Sequence, residues 1–170
     1  MINELGKNIA RFFVFLFIQV LILKHIDLSR FINPFLYVIF LLMLPIRTDK
    51  ALVLFIAFFT GLTIDMFYNT MGVNAAACVF MAYCRPRVLR FYAPKGEYDS
   101  SAKPTIQSMG LPWVISYVST MVFLHHFVLF FLEAFSFSSF FTTLAIIIVS
   151  GITTVGLIVL SQLIMQRRRI

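Results

Sequence analysis

The chain has 170 residues, of which 61% are hydrophobic and 12% charged, and it carries a formal net charge of +7. Soluble proteins carry about 45–50% apolar and about 25% charged residues, and a domain of this size cannot hide so many apolar side chains from its surroundings. Most of the chain therefore has lipid as its solvent, which excludes a secreted disulfide scaffold, a nucleic-acid-binding domain and a conventional soluble enzyme.

The basic residues sit at the edges of apolar runs, where they set topology and meet anionic lipid head groups. No nucleic-acid partner is expected. Cys78 and Cys84 lie in an apolar run without a metal or redox motif, and they read as reduced, buried thiols packing as small hydrophobes.

In chain order, the first apolar run follows Lys7 and Arg11 and predicts an uncleaved span over residues 9–24, since no small-residue cleavage site follows. The second span, residues 31–46, opens on Asn33-Pro34, a cap and first-turn pair. Its helical part covers roughly 20 Å at 1.5 Å per residue, short for a hydrocarbon core of about 30 Å. A short span is preferred here over an irregular crossing or a re-entrant dip. Residues 51–68 and 71–84 predict the third and fourth spans, with Asp65 the only charge in the third. Arg85-Pro86-Arg87 is expected to stop the fourth, because proline cannot continue the helical ladder. A cytoplasmic loop over residues 85–110 then presents Arg85, Arg87 and Arg90 to lipid. Two full-length spans follow, residues 111–133 and 138–165, and the sequence reaches Arg167-Arg168-Arg169.

The expectation is a single all-α membrane domain over residues 1–170, with six spans and both termini cytoplasmic. That arrangement puts twelve of the fourteen Lys and Arg residues inside, as the positive-inside rule asks. Five spans would leave the terminal arginines on the wrong side.

A carboxylate within a span is costly. Asp65 lies about 22 Å along a helix from Lys50, in the outer part of its span, within reach of Asn69, Asn74 and nearby backbone amides. A structural or interface role is preferred over a proton relay or ion site. His125 and His126 lie toward the outer end of the fifth span, with Glu133 beyond them. Adjacent helical positions diverge by about 100°, so one ring is expected to face a neighbouring helix and the other the interface, and no metal site is predicted. Together with Lys24, His25, Asp65, Asn69 and Asn74 they form a candidate outer polar cluster. Gly72–Ala76 and Ser150–Thr154 are small-x-x-x-small pairs, with Gly151 and Gly156 nearby, and they predict that the fourth and sixth spans pack in the interior. No H-E-x-x-H, G-x-S-x-G, P-loop or G-x-G-x-x-G pattern occurs. Neither catalysis nor a cofactor is expected.

The segment FFTGLTIDMFYNTMGVNAAACVFMAYCRPR, residues 58–87, carries Gly61 four residues before Asp65, a short turn through Asn69, then Gly72 opening a small-residue helix that ends in an Arg-Pro pair. In this it resembles the central stretch of MreD, the family of bacterial rod shape-determining membrane proteins, in its Bacteroidetes-like branch. The resemblance implies a non-catalytic, multi-pass inner-membrane subunit of the cell-elongation and peptidoglycan-synthesis machinery. Its implied fold is similar to the substrate-binding subunits of energy-coupling-factor transporters. Its implied partners are MreC, MreB, RodA and the elongation-specific penicillin-binding transpeptidase. On this reading Gly61, Asp65, Asn69, Gly72 and Asn74 shape a surface for a partner's transmembrane helix. The alternative is a transporter's substrate-binding subunit that takes a small molecule in the outer polar cluster. A third reading is a small carrier coupled to protons or metal through Asp65 and the histidines.

Overall fold

The computed structural model describes residues 12–23, 32–94, 98–99, 102–135 and 140–167, with Arg167 described by its backbone alone. Lys7, Arg11, Lys24, His25, Arg168 and Arg169 lie outside the described residues, as do the outer limits of the first and last predicted spans. Helices in chain order are α1 (Phe12–Ile22), α2 (Val38–Leu42), α3 (Lys50–Tyr68), α4 (Val73–Phe91), α5 (Ile106–Met109), α6 (Leu111–Ala134) and α7 (Phe140–Arg167). No strand occurs among the described residues. By length and composition α3, α6 and α7 are able to cross a membrane, so this is an all-α membrane protein.

α3 packs on α4, α4 on α6 and α6 on α7. One end of the bundle holds the turn at residues 69–72, and we call it the turn end. The opposite end holds Arg47, Arg85 and Arg90 and is the basic end. α3 starts at the basic end, where the Asp49 carboxylate accepts from the amides of Ala51 and Leu52 at 2.9 and 3.1 Å. That cap satisfies two of the helix's orphan donors. It stops at Asn69, whose left-handed φ of 55° turns the chain while its amide donates to the Asp65 carbonyl. Gly72, at φ 81°, then launches α4 back down. Two left-handed residues make so short a reversal feasible, and glycine occupies one of them without steric cost.

At Gly61 the backbones of α3 and α4 come into direct contact. A Cβ there would lie 2.6 Å from the Ala75 nitrogen and 2.6 Å from the Asn74 carbonyl oxygen. The pair Gly72–Ala76 does not serve this purpose, since Ala76 is exposed and Gly72 has open space where a side chain would go. Gly151 and Gly156 are equally open. α7 lies at the edge of the bundle rather than inside it, against α6 and α5.

α4 runs through Pro86 to Phe91, so the helix expected to stop at residue 84 is longer and the polar loop begins later than residue 85. Proline removes one helical donor. Arg85 and Leu89 on either side of it are both buried, and that anchoring carries the helix through the gap.

The second predicted span is mostly not a helix. Only the five residues of α2 are α-helical, although Tyr37, Val38, Ile39, Leu41 and Leu42 are all at most 2% exposed. Before α2, residues 33–35 are not helical and residues 36–37 form a turn into the helix. Asn33 and Phe35 donate their amides to Ser150 and Thr154, one turn apart on α7, so two residues advance about 6 Å. Non-helical chain advances up to about 3.3 Å per residue, so these residues reach further along α7 than the same number would in a helix.

Candidate functional site

Asp65 is 3% exposed and lies where α3 and α4 meet. Its Oδ1 accepts from the Asn74 amide at 3.0 Å, from Asn74 Nδ2 at 3.1 Å and from the Thr70 hydroxyl. Its Oδ2 accepts from the Ala75 amide at 2.9 Å. The carboxylate therefore caps the first turn of α4 from the neighbouring helix, where negative charge and the exposed amides attract. Gly61 makes this reach available by letting the two backbones touch. Asn69 contributes its backbone conformation, and the residue is exposed.

From Asn74 the bonding continues inward. The Tyr37 hydroxyl donates to Asn74 Oδ1 at 3.1 Å, lies 2.9 Å from His125 Nε2, and accepts from the Cys78 thiol at 3.6 Å. His125 and His126 face each other through their Nδ1 atoms at 3.4 Å, and His126 Nε2 is 3.2 Å from the Thr154 hydroxyl. That hydroxyl accepts the Phe35 amide at 3.1 Å. One proton assignment satisfies this whole path. A carboxylate only accepts, so Asn74 must turn its NH₂ to Asp65 and its oxygen to Tyr37. Tyr37 then donates to Asn74 and has only lone pairs left for His125. With neutral rings the remaining donors fall into line: Phe35 amide to Thr154, Thr154 to His126, His126 Nδ1 to His125 Nδ1, and His125 Nε2 to Tyr37. Every donor points toward Asp65.

Both histidines are fully buried, which differs from the expectation that one reaches the interface. The physical reason is that α6 is flanked on two sides. His125 faces α4 and Tyr37, and His126, about 100° around the helix, faces α7. Glu133 is exposed at the end of α6 and takes no part in the network. Phe35 packs against both imidazoles, with ring centroids 6.1 and 5.5 Å away.

The irregular segment before α2 is wired on its other side by Gln19 of α1, which is 1% exposed. Gln19 Nε2 donates to the Pro34 carbonyl at 3.1 Å and to the Tyr68 hydroxyl at 2.8 Å, and its Oε1 accepts the Leu36 amide at 2.7 Å. Non-helical backbone at membrane depth needs partners of this kind from surrounding protein. Gln19 was visible in the sequence as a lone amide within an apolar run. Ser150 and Thr154 stood out as small residues, yet their hydroxyls matter here more than their size. Tyr37 carries no signal of its own in a run of apolar neighbours.

At the basic end Arg85 is 4% exposed. Its expected place on a lipid-facing loop is not what is found. The guanidinium donates from Nη2 to the Leu44 carbonyl at 2.6 Å and the Pro45 carbonyl at 3.2 Å, and from Nε to the Tyr117 hydroxyl at 3.2 Å. It closes the carbonyl end of the α2 segment as Gln19, Ser150 and Thr154 close its amide end. Cations near the last carbonyls of a helical turn are favoured by the same dipole that draws carboxylates to the start. Arg87 and Arg90 are exposed, the former stacked over Tyr83 at 4.9 Å. No group of three or more His, Cys, Asp or Glu side chains able to hold a metal occurs among the described residues. Compared with models of protein families, with curated proteins and with solved structures, the chain matches none.

Proposed function

We propose that the chain is a non-catalytic membrane scaffold of the bacterial cell-elongation machinery, of the MreD kind, crossing the inner membrane six times with both termini in the cytoplasm. Its partners on this reading are MreC, MreB, RodA and the elongation-specific penicillin-binding transpeptidase. The observation that carries the proposal is the interlocking of the residues on which the resemblance rests. Gly61 brings α3 onto α4, Asp65 caps Asn74 and Ala75, and Gly72 forms the turn between them. These residues build one rigid corner at the turn end, the kind of preformed surface on which a partner's transmembrane helix packs.

Six crossings are supported by the alternating direction of the segments and by the placement of the basic residues. A transporter's substrate-binding subunit needs polar groups converging on an enclosed pocket, whereas here Asp65, Asn74, Tyr37 and the histidines converge on one another. The test is a gentle detergent pull-down of the tagged protein at native expression, with mass spectrometry of what accompanies it. MreC and cell-wall synthesis enzymes are expected. A transmembrane coupling protein with ATPases would overturn the proposal in favour of the transporter subunit. Asp65→Asn should reduce recovery of MreC and round the cells, and a variant normal in both respects would remove Asp65 from the interface.

A further inference from the structure

A cavity of about 500 Å³ opens at the basic end against Arg85 and Lys50. Arg85, only 4% exposed, forms its inner wall. Nε and Nη2 of that guanidinium are held by Tyr117, Leu44 and Pro45, and Nη1 has no partner among the described residues. The one fully buried side-chain nitrogen or oxygen without a partner among them is Gln162 Nε2, so Arg85 Nη1 is open to the cavity. Arg47 also lines it, but its Nη2 donates to the Tyr98 carbonyl at 3.3 Å and the side chain has a further interaction, so it belongs to the wall and offers no charge. Asp49, the acid of this lining, has its Oδ1 on two amides of α3. A guanidinium fixed by three hydrogen bonds with its last nitrogen open is a preorganised donor for a carboxylate.

A second cavity of about 340 Å³ adjoins the first, sharing Pro86 and Leu89 and continuing along Ala93 and Tyr98. Its far wall is fixed, since the Tyr98 hydroxyl donates to the Leu89 carbonyl at 2.6 Å and the Tyr98 ring meets Trp113 edge-on. Lys50 lines the first cavity and the exposed Arg90 the second, with the apolar surface of Pro86 and Leu89 common to both. Leu89 and Ala93 follow Arg85 as the chain runs away from the turn end, and α3, a helix able to cross a membrane, begins at Lys50. The apolar hollow therefore lies on the water side of Lys50. An acyl chain seated there would leave the bilayer, so the occupant that fits comes from water: a polypeptide with a carboxylate and, beside it, an apolar side chain.

We propose that this paired cavity docks an acidic segment of a partner protein, an aspartate or glutamate carboxylate resting on Arg85 Nη1 and Lys50 and the neighbouring apolar side chain on Leu89, Ala93 and Tyr98. Arg90, on the second cavity, favours a further acid in the same segment. Acidic motifs are read by basic clusters in this way, with charge complementarity excluding the wrong partners. The site lies at the opposite end of the bundle from the Asp65 corner, so the assignment stands or falls independently of the scaffold reading.

The experiment uses the full-length protein in detergent and follows the fluorescence anisotropy of short labelled peptides of glycine and serine. The first peptide carries glutamate, phenylalanine and glutamate in succession at its centre, the second replaces both glutamates by glutamine, and the third replaces the phenylalanine by alanine. Saturable binding of the first is expected, with the other two bound about tenfold more weakly. Lys50→Gln with Arg90→Gln, both exposed positions, should weaken the first peptide by a similar factor. Arg87→Gln, which lines neither cavity, should leave it unchanged. Equal binding of the glutamine peptide, or of the alanine peptide, would reduce the effect to apolar contact or to diffuse charge, and either overturns the proposal. So does no saturable binding up to millimolar peptide, undiminished binding by the double variant, or an equal loss with Arg87→Gln. Displacement of the peptide by phosphatidylglycerol but not by phosphatidylcholine would assign the cavity to lipid instead. Should the double variant fail to fold, the comparison of the three peptides on the native chain still decides.

Discussion

Gly61 and Gly72 lie on either side of Asp65 and are needed for opposite reasons. At Gly61 the backbone is helical and any Cβ strikes the Ala75 backbone. Overpacking against a backbone that cannot move costs about 1–3 kcal/mol. At Gly72 space is open, but φ is 81°, and a side chain there costs about 1–2 kcal/mol in conformational strain. Gly61→Ala should accordingly lower the unfolding midpoint of the purified protein and should not be rescued by any other small side chain. Gly72→Ala should lower it as well, with Gly72→Asn milder because asparagine tolerates the left-handed region. Gly151→Ala, where space is open and the backbone helical, should leave the midpoint unchanged or raise it. A Gly61→Ala protein as stable as the native one would mean that α3 and α4 do not touch there. Gly61 was legible as part of a motif, but its neighbour was not, because contact across helices depends on crossing geometry that spacing alone does not encode.

Among the elements, the segment leading into α2 departs furthest from periodicity. It has the composition of a span, and Asn33-Pro34 reads as a helix start. The helix nevertheless forms only after Tyr37, because the backbone groups before it find partners elsewhere: Ser150, Thr154 and Gln19. Thr154→Val removes both the acceptor of the Phe35 amide and the partner of His126. Single hydrogen bonds inside membrane proteins are worth about 0.6 kcal/mol on average and about 1.7 at most, so the loss of two should cost about 1–2 kcal/mol. Amide hydrogen exchange at residues 33–37 should accelerate with it. Thr153→Val, whose hydroxyl bonds only its own helix at Val149, should change neither quantity. At the other end of the segment, Arg85→Met leaves the Leu44 and Pro45 carbonyls without their guanidinium, and limited proteolysis between residues 45 and 50 should rise. Unaltered cleavage there would show that Arg85 is not what holds the α2 segment down.

For the whole molecule, the organising feature is polarity arranged in two layers. The Asp65 network binds α3, α4, α6 and α7 together toward the turn end, and Arg85 with Tyr117 ties α4 and α6 to the α2 segment toward the basic end, with apolar side chains between. The proposed six-crossing topology makes a direct prediction. In a background lacking the native Cys84 thiol, Met71→Cys, at a fully exposed position, should react with a membrane-impermeant maleimide from outside the cell. Ala93→Cys should be protected until the membrane is opened. Labelling of both from one side would contradict the alternation of the segments.

Composition and the distribution of charge were enough to place this chain in a membrane and to make it all helical, because lipid leaves few other ways to satisfy a backbone. They also marked Asp65 and Asn74 as neighbours, since a short turn between two apolar runs brings its two ends together whatever else the fold does. The partners of residues distant in sequence came only from the tertiary structure. Tyr37 meets His125, His126 meets Thr154, and Arg85 meets Leu44. Each of these pairs joins separate passes of the chain, and their meeting depends on how the helices are rotated and offset. Rotation and offset are properties of packed surfaces, which no single stretch of sequence contains.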